Sequence, residues 1–219
     1  DRWGGTAAKR FRILRLIIAG IRDQVPSMPI WIKMNGDEDR HSGMDSESAA
    51  EYAAMMEDAG ADAVEISRGL KEDLFSTVRG DVPYEMLCRN HPRLKRLPRL
   101  IQLLIRPAAA AWMRSPQPRR MYNADTADAV RRAVPIPVIA VGGIHDLGEI
   151  REMILRRHMD AVSLGRPLIQ NPNLVSAYRR GELNTSGCTE CNCCLAGILG
   201  GRLECCSNNA ESGQQSEED

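Results

Sequence analysis

Twice in this chain a short run of β-branched and small apolar residues ends abruptly in glycine. Ile136-Pro137-Val138-Ile139-Ala140-Val141 ends in Gly142-Gly143, and Asp160-Ala161-Val162-Ser163-Leu164 ends in Gly165-Arg166. From about Asp146, Leu147, Ile150 and Ile154 recur at helical spacing between the two runs. Two strands joined by one crossover helix run parallel, with the crossover right-handed. An earlier stretch repeats the pattern: Asp62-Ala63-Val64-Glu65-Ile66-Ser67 echoes Asp160-Ala161-Val162. The helix leading into it opens at Asp45 or Ser46, with a capping-box pattern at Ser48 and Glu51. It buries Ala49, Tyr52, Ala53 and Met56, and Gly60 stops it. Ile30-Trp31-Ile32-Lys33-Met34 reads as a fourth strand, preceded by a helix over 6–24 with Phe11, Leu14, Ile18 and Ile21 on one side. Four such strands place the chain in the α/β class, with a parallel sheet that is either open or part of a barrel.

Glycine at a strand end lets backbone N–H groups approach a phosphate, and an arginine adds a charged fork. Gly142-Gly143 and Gly165-Arg166, one β-α-β unit apart, therefore predict a phosphate cradle; the alternative is that these glycines only allow tight turns. Six of the seven cysteines fall between Cys188 and Cys206, in the order Cys188-x₂-Cys191-x₂-Cys194 followed by Cys205-Cys206, with Cys193 as an extra thiol. Thiols so clustered read as ligands in a reducing compartment rather than as disulfide staples, which leaves iron–sulfur, zinc and free thiols as the readings. Cys88 reads as a structural thiol. His41, His91, His145 and His158 form no pair at metal or catalytic spacing, and His145 reads as an exposed loop residue.

Arg89 to Arg120 holds nine Lys or Arg and no acidic residue. Leu97, Leu100, Leu103, Leu104 and Trp112 form one helical face there, interrupted at Pro107, and the segment reads as a packed surface insertion over 85–122. A basic amphipathic lid or membrane-surface segment is the other reading. The formal net charge is zero, so no global field selects nucleic acid. No apolar run reaches the roughly 18 residues a membrane span needs. With no signal peptide, the chain is expected to be cytoplasmic. Lacking an initiator Met, Asp1 is not expected to be a natural start. The polar tail over 207–219 is expected to be disordered.

In this order along the chain, the pieces resemble the carboxyl-terminal half of the old yellow enzyme and NADH:flavin oxidoreductase family. Asp1-Arg2-Trp3-Gly4-Gly5 with Arg10-Phe11 is similar to the family's stretch after its fourth strand. Trp31 to Asn35 is similar to the fifth strand, Gly60 to Ser67 to the sixth, Pro137 to Gly143 to the seventh and Asp160 to Arg166 to the eighth. Leu168-Ile169-Gln170-Asn171-Pro172-Asn173-Leu174 resembles the segment that follows. The cysteine segment resembles that of the trimethylamine dehydrogenase and 2,4-dienoyl-CoA reductase group.

The resemblance implies the second half of a (β/α)₈ TIM barrel, strands five to eight, over 1–180, with a Cys-rich segment over 181–206. It implies FMN as cofactor, reduced by NAD(P)H, with hydride passed to an electron-poor small-molecule acceptor. Lys33 matches the basic residue beside N1 and O2 of the flavin, and Gly142, Gly143, Gly165 and Arg166 match the cradle of the FMN phosphate. Cys188, Cys191, Cys194 and either Cys205 or Cys206 match the ligands of a [4Fe–4S] cluster. The family's first four strands and its acceptor-binding pair would precede Asp1. The partner expected is therefore that missing amino-terminal half or a second copy, which would close two open sheet edges. Two other readings stay open: a phosphate-binding barrel enzyme of another class, and a catalytically inactive metal-binding or interaction remnant.

Overall fold

The computed structural model describes residues 2–38, 43–69, 77–112, 117 and 119–207. His41 and the tail from 208 onward, both named above, lie outside the described residues. The chain divides into two compact units. One comprises Asp1–Thr77, Arg120–Ile144 and Glu149–Ser163; the other comprises Val78–Arg119, His145–Gly148 and Leu164–Asp219.

The first unit is built on a parallel sheet of β1 (Trp31–Asp37), β2 (Ala63–Arg68), β3 (Val138–Val141) and β4 (Ala161–Ser163), side by side in chain order. The register sets Lys33 beside Glu65, Glu65 beside Ile139, and Ile139 beside Ala161. Because side chains alternate across a strand, Trp31, Lys33, Glu65, Ile139 and Ala161 share one face, and Met34, Val64, Ile66, Val138 and Ala140 share the other. The second face is buried beneath two helices, α2 (Ser46–Asp58) and α5 (Ala124–Ala133), through Ala49, Ala53, Met56, Ala127 and Val130. Exposure varies along the first face: Trp31 is 57% exposed, whereas Ile139 is 4% exposed.

Local chemistry accounts for the boundaries. Asp45 caps α2, its carboxylate accepting the Ser48 N–H at 2.8 Å. That hydrogen bond holds the Asp45 carboxyl below its ordinary value. The cap is thus Asp45, with Ser48 as donor. Gly60, at φ +98°, turns the chain out of the helix. Asp62 then accepts the Ile30 N–H at 2.6 Å and pairs with Arg22 of α1 (Ala7–Gln24), which ties helix and strand together at the entrance to β2. On α1 itself, Phe11 and Ile18 are the buried contacts.

After β3 the expected helix forms as α6 (Leu147–Arg151) and continues into a π-helical turn over Glu152–Arg156. The wider turn rotates the inward face by about one position. Met153 is consequently buried, and Ile154, expected inward, is exposed.

The second unit contains α3 (Tyr84–Asn90), a 3₁₀ turn at Leu94–Arg96, α4 (Arg99–Trp112), α7 (Arg166–Gln170), α8 (Leu174–Arg180) and α9 (Cys193–Ile198). Pro107 does not interrupt α4: the helix runs through it. Pro107 and Leu103 both stand on the exposed side, so the carbonyl that loses its amide partner is open to water. The leucine face expected to pack is likewise exposed at Leu100, Leu103 and Leu104. What faces α3 instead is Gln102. Its side-chain amide donates to the carbonyls of Leu94 and Leu97 at 3.0 Å each, and its own carbonyl accepts the Tyr84 hydroxyl at 2.6 Å.

Candidate functional site

In the first unit Lys33 lies within β1, not at the strand end its sequence run suggested, while the glycines and a buried polar chain lie at the carboxyl ends of the strands. The Lys33 side chain is more than half exposed, with its Nζ 2.9 Å from Glu65 Oε1. Gly142 and Gly143 follow β3 directly, with φ of +125° and +67°. A Cβ on Gly142 would sit 2.6 Å from Tyr122 Cε2 and 2.7 Å from Asn123 Nδ2, so glycine is required there by space as well as by backbone. Tyr122 in turn donates its hydroxyl to the Thr77 carbonyl at 3.0 Å. Beneath these glycines runs a buried polar chain that sequence reading missed. Asn123 donates to the Val141 carbonyl at 2.6 Å and accepts from Arg68 Nε at 3.1 Å. Arg68, itself buried, reaches Asp37 Oδ2 at 2.6 Å. This chain joins the ends of β1, β2 and β3, and so holds the glycine turn in place.

In the second unit Gly165 precedes α7 with open space where a Cβ would stand. Arg166 is buried, and its guanidinium donates to Asn192 Oδ1 at 2.7 Å. Asn192 is the organising residue of this unit. It is 1% exposed, adopts φ +57°, and donates its amide to the carbonyls of Val78 at 3.2 Å and Asp81 at 3.0 Å. Gly80 lets the 78–81 segment lie that close, since a Cβ there would meet the Glu190 carbonyl at 2.2 Å. His145, expected to be exposed, is buried: Tyr178 donates its hydroxyl to the His145 carbonyl at 2.6 Å, and Glu190 Oε1 lies 3.8 Å from Nε2. The signal for Asn192 was present in the sequence as the asparagine that directly follows Cys191. Its tolerance of left-handed backbone was the property to weigh.

All seven cysteines are free thiols. Burial pushes Cys188 and Cys194 up, and the Arg166 guanidinium partly offsets this in both. Burial acts on Cys191 too, but the Cys193 N–H, the Thr189 hydroxyl and the Cys193 thiol outweigh it and hold Cys191 below the ordinary thiol value. Cys193, desolvated and hydrogen-bonded to both Cys206 and Cys191, is pushed up to about 12. The thiols therefore interact as neighbours. Among the described residues, however, no three side chains of His, Cys, Asp or Glu are grouped as they would be around one metal ion. Ligation by Cys188, Cys191, Cys194 and Cys205 or Cys206 requires them to converge on loading. Cys88 is buried and stands apart on α3.

Among the described residues, the second unit contains the following cavities. One, of about 450 Å³, is bordered by Tyr84, Cys88, Arg89, Lys95, Arg99 and Arg106. The other, of about 400 Å³, is bordered by Met86, Arg89, Cys193, Arg202, Glu204 and Cys206. No helix among the described residues is long and apolar enough to cross a membrane.

The profile of the dihydrouridine synthase (Dus) family matches residues 113–208. An NADH oxidase of Thermoanaerobacter brockii is 27% identical over 204 residues, which is 93% of this chain and 26% of the relative. An NADH-dependent flavin oxidoreductase of Neonectria sp. (strain DH2) is 29% identical over 176 residues, 80% of this chain and 20% of the relative. The chain thus spans about a quarter of the length of these relatives. Among solved structures, a 2-naphthoyl-CoA reductase complex covers 88% of the chain at TM-score 0.63 and 22% identity, aligning with 24% of that protein. The old yellow enzyme homologue from Zymomonas mobilis covers 87% at TM-score 0.52 and 15% identity, aligning with 42% of that protein. These neighbours are TIM barrels, so the four-stranded sheet corresponds to a carboxyl-terminal part of such a barrel.

Proposed function

We propose that this chain, whose relatives are NADH-dependent flavin oxidoreductases of the old yellow enzyme type, forms the carboxyl-terminal half of an FMN-dependent NAD(P)H oxidoreductase acting on an electron-poor small molecule. The observation that carries this reading is Lys33. It shares a face of the sheet with Glu65 and Ile139, donates to Glu65 at 2.9 Å, and is the residue that the resemblance of Trp31 to Asn35 matches to the family's flavin-facing base. The residues fit the group. Lys33 is more than half exposed and pairs with Glu65, Gly142 and Gly143 follow β3, and Gly165 leaves open space before α7.

Bound FMN would supply the hydride carrier between NAD(P)H and the acceptor. Lys33 would hold its ammonium beside N1 and O2 of the ring, where a fixed positive charge favours the reduced form. The family's phosphate-binding positions would fall to Gly142 and Gly143 in one unit and to Gly165 and Arg166 in the other. The amino-terminal strands of the barrel, or a second copy, would complete the barrel and supply the acceptor's contacts. The cysteine segment over 181–206 would carry a cluster on Cys188, Cys191, Cys194 and Cys205 or Cys206 once those thiols converge.

Absorbance of the chain purified without air and mixed with FMN tests the reading. Retention of the yellow chromophore through gel filtration, with Lys33→Met weakening retention and lowering the bound flavin's reduction potential, is the expected result. Folded chain that emerges colourless from a molar excess of FMN, also when supplied with the amino-terminal strands, would overturn it.

A further inference from the structure

The cavity of about 400 Å³ in the second unit is bordered by three sulfur atoms that the flavin reading does not use together: Cys193, Cys206 and Met86. They come from three places in the chain. Cys193 opens α9, and Met86 lies on α3. The chain after α9 then doubles back, the Arg202 N–H donating to the Gly197 carbonyl at 3.1 Å, and delivers Cys206 beside both. The α3–α9 contact is itself pinned: Asn90 of α3 donates to the Ala196 carbonyl at 3.0 Å. Gly200 packs against Asn90, where a Cβ would stand 3.0 Å from the Asn90 side chain.

Cys206 Sγ lies 3.9 Å from Met86 Sδ, and Cys193 borders the same cavity. Two sulfurs held at a typical metal–thiolate bond of about 2.3 Å stand about 3.8–4.0 Å apart at tetrahedral or trigonal angles. The Cys206–Met86 separation therefore already equals that of two ligands on one ion. Two thiols and a thioether are a soft donor set, and thioether ligation selects Cu(I) over harder divalent cations. Charge points the same way. Two thiolates and Glu204 bring three negative charges to the cavity, and Arg89 and Arg202 bring two positive ones. One monovalent cation would leave it neutral.

We infer that Cys193, Cys206 and Met86 form a three-coordinate site for a soft monovalent cation of the Cu(I) class, separate from Cys188, Cys191, Cys194 and Cys205. Loading replaces the two thiol protons by one cation, with no change of oxidation state in protein or metal. The assignment also divides the doubled cysteine. Cys206 belongs to this site, and Cys205 is left as the fourth member of the other thiol set.

The test is an anaerobic titration of the reduced chain against Cu(I) held as its coloured bicinchoninate complex, with X-ray absorption on the product at one equivalent. The expected result is withdrawal of one Cu(I) per chain and a shell of three sulfurs. Cys193→Ser and Cys206→Ser should each abolish the high-affinity withdrawal, while Cys188→Ser leaves it unchanged. Met86→Leu keeps the side chain's volume and folding. It should reduce the shell to two sulfurs and weaken affinity about 10–100-fold, the usual scale for a supporting metal contact. No withdrawal by the folded chain would overturn the inference. So would loss on Cys188→Ser with none on Cys193→Ser, or a shell that Met86→Leu does not alter. FMN retention is read independently, so failure here leaves the flavin reading untouched.

Discussion

Replacing Asn192 with alanine removes three hydrogen bonds at once, and the structure sets the scale of the loss. One bond is the charge-assisted contact to Arg166, and two go to the carbonyls of Val78 and Asp81. A bond to a charged group contributes about 1.5–3 kcal/mol and a neutral one about 0.5–1.5 kcal/mol. Allowing for the carbonyls' second lone pairs, the loss should be about 3–5 kcal/mol. Alanine is also strained at φ +57°, which adds roughly 1–2 kcal/mol. A domain has about 5–15 kcal/mol in total, so the variant should be marginal at room temperature. Asn192→Gly separates the two effects, because it loses the same bonds without the backbone strain and should be the more stable of the pair. Urea unfolding followed by circular dichroism reads the total. Hydrogen exchange at the Asp81 amide, which donates to the Glu190 carbonyl at 2.9 Å, reports the second unit directly. A loss below about 1 kcal/mol, within the range of one ordinary neutral hydrogen bond, with Asp81 still protected, would refute the view that Asn192 organises this unit.

Gly142→Ala should destabilise the first unit by about 2–5 kcal/mol, combining a left-handed backbone with overlap against Tyr122 and Asn123; a thermal midpoint equal to that of the unaltered chain would contradict the geometry. Asn123→Ala strands a buried arginine edge and the Val141 carbonyl and should cost about 2–4 kcal/mol in denaturant. In a double-mutant cycle with Arg68→Met its effect should be non-additive, and simple addition would break the proposed chain. The carboxyls of Asp62 and Asp45 are held below their ordinary values, by the Ile30 N–H with Arg22 and by the Ser48 N–H respectively. Their contribution is therefore complete above the unfolded-state value of about 3.9 and is lost as pH falls through the lower folded values. Asp62→Asn should flatten the acid limb of the stability curve, and an unchanged limb in thermal melts across that range would count against the assignment.

The parallel α/β class, the four strands and the helix over 46–58 follow from the sequence because each rests on short-range periodicity. Val64 and Ile66 alternate with Glu65, Ala49, Ala53 and Met56 recur at helical spacing, and Gly60 marks a stop that only a residue free of a Cβ makes easily. The glycines after β3 were legible for the same reason, and so was the clustering of the thiols. Tertiary structure decided what depends on partners distant in sequence. It buried Met153 in place of Ile154, because a π-helical turn is a response to packing. It drew His145 inside, made Asn123 and Arg68 a buried chain across three strand ends, and set Asn192 against Val78 and Asp81, more than a hundred residues earlier. It also placed Met86 beside Cys206. Apart from the asparagine that follows Cys191, these contacts leave no local signature, because the desolvation that makes a buried polar or sulfur pair matter arises only when the chain closes around it.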